Sequence, residues 1–189
     1  MLEVSDKIHR ILAPRLVVLI GTKDKNGRQN IIPINNITSV STEPSRVIIA
    51  VYKPWITANN LESAPGFTVS VPQRSQLELV WKLGQKYSGY KTNKEKIDEF
   101  RNSLDLSFSE YGPVLKDALG WIEYKVVDRP PEKNGNHLLI IGEYTKATVN
   151  PKFYDQEISP KGNPKPFMQW ESNKFAEASD IFDIKYFKP

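Results

Sequence analysis

The chain contains no cysteine and only two histidines, His9 and His137. Without cysteine there is no thiol nucleophile, disulfide framework, iron–sulfur ligand set or cysteine-based zinc site. Two histidines cannot make a three-histidine metal centre within one subunit, and no metal site is expected. The phosphate loops G-x-G-x-x-G and G-x-x-x-x-G-K-[ST] are missing, as is the G-x-S-x-G elbow of serine hydrolases. The longest apolar run, residues 16–20, is far short of the ~20 residues of a membrane span. Residues 1–14 carry Glu3, Asp6, Lys7 and Arg10 and no apolar leader segment. These absences predict a cytoplasmic protein with no membrane partner. They also predict chemistry that uses few protein proton carriers or borrows its reactivity from a cofactor.

What is present is ordinary for a globular chain. The 189 residues predict one domain, 1–189, with 151–189 as a C-terminal arm. At this length roughly 70% of the unfolded surface can be buried, so a core needs no staple. The net charge is +4, from 26 basic and 22 acidic residues. The two signs alternate at Lys94, Glu95, Lys96, Asp98, Glu99 and Arg101, which reads as a solvated helix face. No nucleic-acid partner is therefore expected, and the mild basicity suits small anionic ligands.

Residues 5–12 read as a short helix capped by Ser5, with Ile8, Ile11 and Leu12 on one face. Residues 16–23 and 28–34 read as strands joined by the turn Asp24-Lys25-Asn26-Gly27. Residues 35–43 are polar and hydroxyl-rich and read as a loop. Further strands are expected at 46–52, 67–71, 121–128, 137–150 and 166–170. Short helices are expected at 58–63, with Thr57 as N-cap, at 75–85, with a Ser75/Glu78 capping box, and at 93–100. Strand pairs joined by tight turns predict a mainly β, small antiparallel barrel rather than a doubly wound parallel sheet.

Three features could carry chemistry. The segment 35–41 holds amides and hydroxyls able to hydrogen-bond a heteroaromatic edge, or simply its own turn. Lys53 and Thr57 flank Trp55 at a helix start, which suits a phosphate or is a plain cap. His137 opens a long strand, as a functional or a structural histidine. His9 lies on a polar face and has no assigned role.

Together the pieces resemble a known family. The runs Pro14-Arg15-Leu16-Val17-Val18-Leu19-Ile20 and Gly27-Arg28-Gln29-Asn30-Ile31-Ile32-Pro33 resemble the opening of the flavin reductase-like, FMN-binding split-barrel family, flavoredoxins in particular. The likeness continues through Ser39-Val40-Ser41-Thr42-Glu43-Pro44, Thr57-Ala58-Asn59-Asn60-Leu61, Ser88-Gly89 with Asn93-Lys94, Tyr111-Gly112-Pro113-Val114 and Asn136-His137-Leu138-Leu139. The resemblance implies a six-stranded antiparallel split β-barrel of Greek-key type with flanking short helices. It implies a homodimer with FMN near the subunit interface and NADH or NADPH as electron donor. Asn30, Asn36 and Thr57 fall on family flavin-site positions, Lys94 on the phosphate-side lysine, Phe175 on a late aromatic over the flavin, and His137 on the substrate-side histidine. Asn35, Ile37, Thr38, Ser39, Tyr52, Lys53 and Trp55 complete the expected cofactor-binding set. Asn36 stands where many relatives carry an aromatic, and Asn136 where they carry an acid. The implied activity is that of an NAD(P)H-dependent flavin reductase. The alternatives are an FMN electron carrier without enzyme activity and a barrel holding another ligand.

Overall fold

The strongest β signal, residues 17–20, becomes the centre of the fold. The computed structural model describes residues 3, 5–84, 93–161 and 164–177. A two-residue strand β1 (Arg15–Leu16) leads into β2 (Val18–Lys23), which turns back as β3 (Gln29–Ile34). The turn closes as its residue types require. Asp24 Oδ1 accepts hydrogen bonds from the backbone N–H of Asn26 (2.8 Å) and Arg28 (2.9 Å), and Gly27 takes φ 75° without a Cβ to strain. β4 (Ile37–Thr42) and β5 (Ser45–Tyr52) form a second hairpin around Glu43-Pro44. There follow α1 (Ile56–Leu61), β6 (Gly66–Val71), α2 (Leu77–Gly84), α3 (Asn93–Glu99), and the short pair β7 (Leu104–Asp105) and β8 (Val114–Leu115). The long strands β9 (Gly120–Asp128) and β10 (His137–Val149) come next, then β11 (Phe167–Glu171) and β12 (Lys174–Glu177).

The main sheet has seven antiparallel strands in the order β3-β2-β6-β9-β10-β5-β4. Its inner face feeds one core. Val18, Ile34, Ile49, Phe67, Tyr124 and Ile140 come from six different strands, and Ile37 of β4 packs against them. In a flat sheet the outermost strands would stand roughly 29 Å apart. A shared core therefore requires the sheet to coil, and the result is a split barrel. β10 supplies part of the bend, because its register against β9 shifts at Ile141/Gly142 and again at Tyr144/Lys146. Gly142 leaves room there. A Cβ would lie 2.7 Å from Phe67 Cζ, in the space used by the stacked Phe67 and Tyr124 rings, 5.4 Å apart.

A second core covers the outside of the β2–β3 hairpin. Val17, Leu19 and Ile31 pack against Val80 and Leu83 of α2, Ile97 of α3, and Phe167 of β11. The hairpin is thus buried on both faces, which explains its unbroken apolar run.

Several expectations change. The main sheet has seven strands, not six, because the hydroxyl-rich segment read as a loop supplies β4. It is an edge strand with Thr38, Ser39 and Val40 exposed, so it needs no apolar alternation. Ser5 caps nothing. Residues Ile8–Leu12 form a 3₁₀ turn with Lys7 at its cap position and Ile8, Ile11 and Leu12 all exposed. The capping box before α2 is made by Gln73 and Gln76, not Ser75 and Glu78. Glu78 pairs instead with Lys82 at 2.7 Å. α1 starts earlier than expected, with Trp55 as N-cap, so Thr57 lies inside the helix and is buried. α3 is not wholly a solvated face, because Lys96 turns inward beside Ile97 and is 8% exposed. Among its described residues the arm forms two strands, and β11 pairs with β1 through Arg15↔Gln169.

Candidate functional site

The β4–β5 hairpin is built differently from β2–β3. Along β5, Val47, Ile49 and Val51 face the core, while Ile48 and Ala50 face outward. β10 begins beside it, with His137 opposite Tyr52. The outward residues of these strands and residues 35–38 enclose an open groove of about 550 Å³. Its apolar lining includes Ile48, Ala50 and Leu139, and its polar rim carries Arg15, Asn35, Asn36, Thr38 and His137.

The rim is held by specific bonds. Arg15 Nη1 donates to Asn36 Oδ1 at 2.8 Å, while the buried Arg15 Nε has no hydrogen-bond partner among the described residues. Asn35 Nδ2 donates to Gln169 Oε1 of β11 at 2.9 Å, so the arm steadies this corner. His137 Nδ1 lies 2.6 Å from Asn136 Oδ1. An amide oxygen only accepts, so Nδ1 carries the proton and Nε2 is left as an acceptor. Burial lowers the His137 pKa from its usual value, which keeps the ring neutral at pH 7. The Tyr52 ring stands 5.7 Å from both His137 and Trp55. Lys53 ties down the loop before His137. Its ammonium donates to Gly135 O (2.6 Å) and Glu132 O (3.2 Å), and its backbone N–H to Asn136 O (3.0 Å). Glu132 takes the N–H groups of Gly135 and Asn134, which hold its carboxyl below the usual range.

A second group lies beneath the surface. Asn30 Nδ2 donates to Thr57 Oγ1 at 2.6 Å, and both residues are buried. Lys96 Nζ donates to Asn30 Oδ1 (3.1 Å) and Ile31 O (3.0 Å). Both acceptors are neutral, and burial pushes the Lys96 pKa down to about 8. Asn60 Nδ2 donates to Thr22 Oγ1 at 3.0 Å in the same layer.

The remaining candidates are dispersed. Lys94 lines a separate groove of about 830 Å³ with Ile56, Asn59 and Arg101, and pairs with Asp98. The exposed Trp55 contacts Tyr52, and its exposed neighbour Ile56 lines the larger groove. Ser39 sits further along β4, exposed, 3.5 Å from Ser41 O and Arg46 O. Phe175 packs edge-on against Trp81 and Phe167, both at 5.9 Å, within the second core. Ser88 and Gly89 lie outside the described residues.

The structure therefore brings together Asn35, Asn36, Ile37, Thr38, Tyr52 and His137, with Lys53 and Trp55 beside them. It does not gather Asn30, Thr57, Lys94, Ser39 and Phe175 into that groove. Sequence reasoning missed Arg15, Lys96 and the outer face of Ile48 and Ala50. Only the last had a local signal: in β5 both alternating positions are apolar, which one buried face does not require. Among the described residues no group of three or more His, Asp or Glu could hold a metal ion.

Comparison with known proteins places this fold. The flavin reductase like domain family matches residues 10–163. The FMN-binding protein from Thermus thermophilus with bound 1-cyclohex-2-enone superposes with a TM-score of 0.78 at 18% identity, covering 97% of this chain and 98% of that one. Flavoredoxin of Desulfovibrio vulgaris (Miyazaki F) gives 0.77 at 20% identity, with 97% of each chain covered. The NADH:FAD oxidoreductase of Streptomyces globisporus C-1027 gives 0.66 at 23% identity, covering 80% of this chain and 89% of that one. The match over residues 10–163 and the shared split barrel lead to one assignment: this chain belongs to the flavin reductase-like domain family.

Proposed function

We propose that the protein binds FMN at the β4–β5–β10 groove and acts as an NAD(P)H-dependent flavin reductase. The observation that carries this reading is the uncovered apolar surface of Ile48, Ala50 and Leu139 beside amide and imidazole groups. Such a surface suits a flat heteroaromatic ring that is apolar on its faces and polar along one edge. Family membership and solved relatives described as FMN-binding, or as an NADH:FAD oxidoreductase, support it. FMN, when bound, supplies the hydride and electron chemistry that the side chains cannot.

In this reading residues 35–38 receive the ring and His137 lines the substrate side, with a neutral Nε2 as acceptor. Lys94 stands on the phosphate side, past the exposed Trp55 and Ile56. Asn30 and Thr57 brace the site from below, and Lys53 positions the His137 loop. Phe175 acts through the arm. A second copy of the chain covers the open face and the free edge of β4, giving a homodimer. No described helix is long and apolar enough to cross a membrane, and a cytoplasmic location is part of this reading.

Purified protein mixed with FMN, then with NADH and separately NADPH, tests the proposal by absorbance and fluorescence. A perturbed flavin spectrum and oxidation of either nucleotide are expected. Absence of FMN binding overturns the reading. Binding without nucleotide oxidation moves it to the electron-carrier alternative. Sedimentation at rising concentration tests the dimer.

A further inference from the structure

Arg15 has no assigned role, yet it sits on the rim of the groove. Among the described residues lining the groove it carries the one permanent positive charge, because His137 is held neutral by burial. Glu132, the one carboxylate on the lining, is occupied by two backbone N–H groups of its own loop. Nη1 binds Asn36 Oδ1 at 2.8 Å, and the buried Nε has no hydrogen-bond partner among the described residues. β1 fixes its backbone, through pairing with Gln169 on β11.

This arrangement sets the polarity of the whole corner. A guanidinium only donates, so Asn36 must turn Oδ1 toward Arg15 and keep Nδ2 for another acceptor. Asn35 is turned the opposite way, because its Nδ2 is used by Gln169 Oε1 and its Oδ1 remains an acceptor. The corner therefore offers a donor group, Arg15 with Asn36, beside an acceptor, Asn35. The pyrimidine edge of a flavin has the complementary order, a carbonyl at C2 beside N–H at N3.

We propose that Arg15 is the specificity and redox-tuning residue of this groove. With Asn36 it receives the C2 carbonyl and N1 of the flavin, while Asn35 accepts from N3–H. The inference rests on the flavin reading above. A reduced flavin ring carries more negative charge at N1 and the C2 carbonyl than the oxidised ring. A fixed cation there favours the reduced form and raises the reduction potential.

The test compares wild-type protein with Arg15→Met, Arg15→Lys and Asn36→Asp. FMN affinity is read by fluorescence, the midpoint potential by spectroelectrochemical titration, and folding by circular dichroism. Arg15→Met is expected to lower the affinity for reduced relative to oxidised FMN about tenfold, a fall of about 30 mV for a two-electron couple. Arg15→Lys keeps the charge and is expected to lose less. Asn36→Asp leaves Arg15 and its β1 pairing in place but neutralises the cation with a carboxylate, so its potential is also expected to fall. It serves if Arg15→Met does not fold. A folded Arg15→Met with wild-type affinity and potential overturns the proposal, as does an unchanged potential in Asn36→Asp. Failure of the wild-type protein to bind FMN sinks the flavin reading itself, a result distinguishable from either variant outcome.

Discussion

The two hairpins β2–β3 and β4–β5 are neighbours in sequence and differ in what covers them. Both send alternate residues into the barrel core: Val18, Ile20 and Ile34 from the first, Val47, Ile49 and Val51 from the second. The first hairpin also buries its outer residues, Leu19 and Ile31, under α2, α3 and Phe167. The second leaves Ile48 and Ala50 on an open groove rimmed by amides and His137. One hairpin buries its outer face under helices, and the other leaves its outer face uncovered, where the proposed flavin would sit. Apolar residues on an uncovered sheet face lose burial energy on folding alone and recover it on binding.

The largest effect should come from the covered face. Ile31→Ala is expected to destabilise the protein by about 2–5 kcal/mol, the range for buried large-to-small changes. Ile31 is 0% exposed and packs in the second core. Urea unfolding checks this, and FMN affinity of the remaining folded protein should be unchanged. A loss below 1 kcal/mol would show that α2 and α3 cover the hairpin only loosely.

The covered face also carries a buried cation, and pH probes it. Folding lowers the Lys96 pKa from its ordinary 10.5 to about 8. The unfolded chain therefore binds more protons between pH 8 and 10.5, and stability rises with pH across that window. Below pH 8 the cost of burying the charged form is fully present. Relative to Lys96→Met, which cannot titrate, the wild type should gain on the order of 3 kcal/mol from pH 8 to 10.5. Parallel stability curves would contradict the buried placement.

The open face should respond in the opposite way. Ile48→Ala is expected to change stability by less than about 1 kcal/mol, because its side chain is only half-buried. FMN affinity should fall several-fold, about 1 kcal/mol, the part of the lost side chain's transfer free energy that only the ligand would bury. Equilibrium unfolding and fluorescence titration on the same sample decide it. A large stability loss with unchanged affinity would erase the distinction between the two hairpins.

The contrast also explains what could be read from sequence. The covered hairpin was legible, because burial on both faces leaves an unbroken apolar run and its turn needs Asp and Gly. The open hairpin was half legible. β5 was clear, but β4 has an exposed, hydroxyl-rich edge and presents no apolar period, so it read as a loop. Of the residues that share the groove, 35–38 were singled out for their amides and hydroxyls and His137 for its place at a strand entry, with the family resemblance adding weight to Asn36 and His137. Arg15 and Lys96 were not, because their roles depend on partners 21 and 66 residues away. Thr57 was read as the N-cap of α1, but the helix starts two residues earlier, with Trp55 at the cap, and Thr57 is a buried acceptor inside it.

His137 provides the smallest and most local test. Burial lowers its pKa from the ordinary 6.5, so the unfolded chain takes up the proton first as pH falls. Stability linked to His137 is present above pH 6.5 and declines below it, toward the lowered folded value. The decline should be gentler than the Lys96 slope, because the imidazole is only partly buried and Asn136 still solvates it through one hydrogen bond. His137→Gln keeps a polar side chain and removes the titration, so it should flatten this acid-side slope while leaving stability at pH 7 within about 0.5 kcal/mol. In the functional assay the same variant should lose about a hundredfold in nucleotide oxidation, the low end for a general acid or base, with FMN affinity within about twofold. An FMN affinity that falls with the rate would move His137 from the substrate side of the groove to the flavin itself. The open face would then hold its ligand through the imidazole rather than through Ile48 and Ala50.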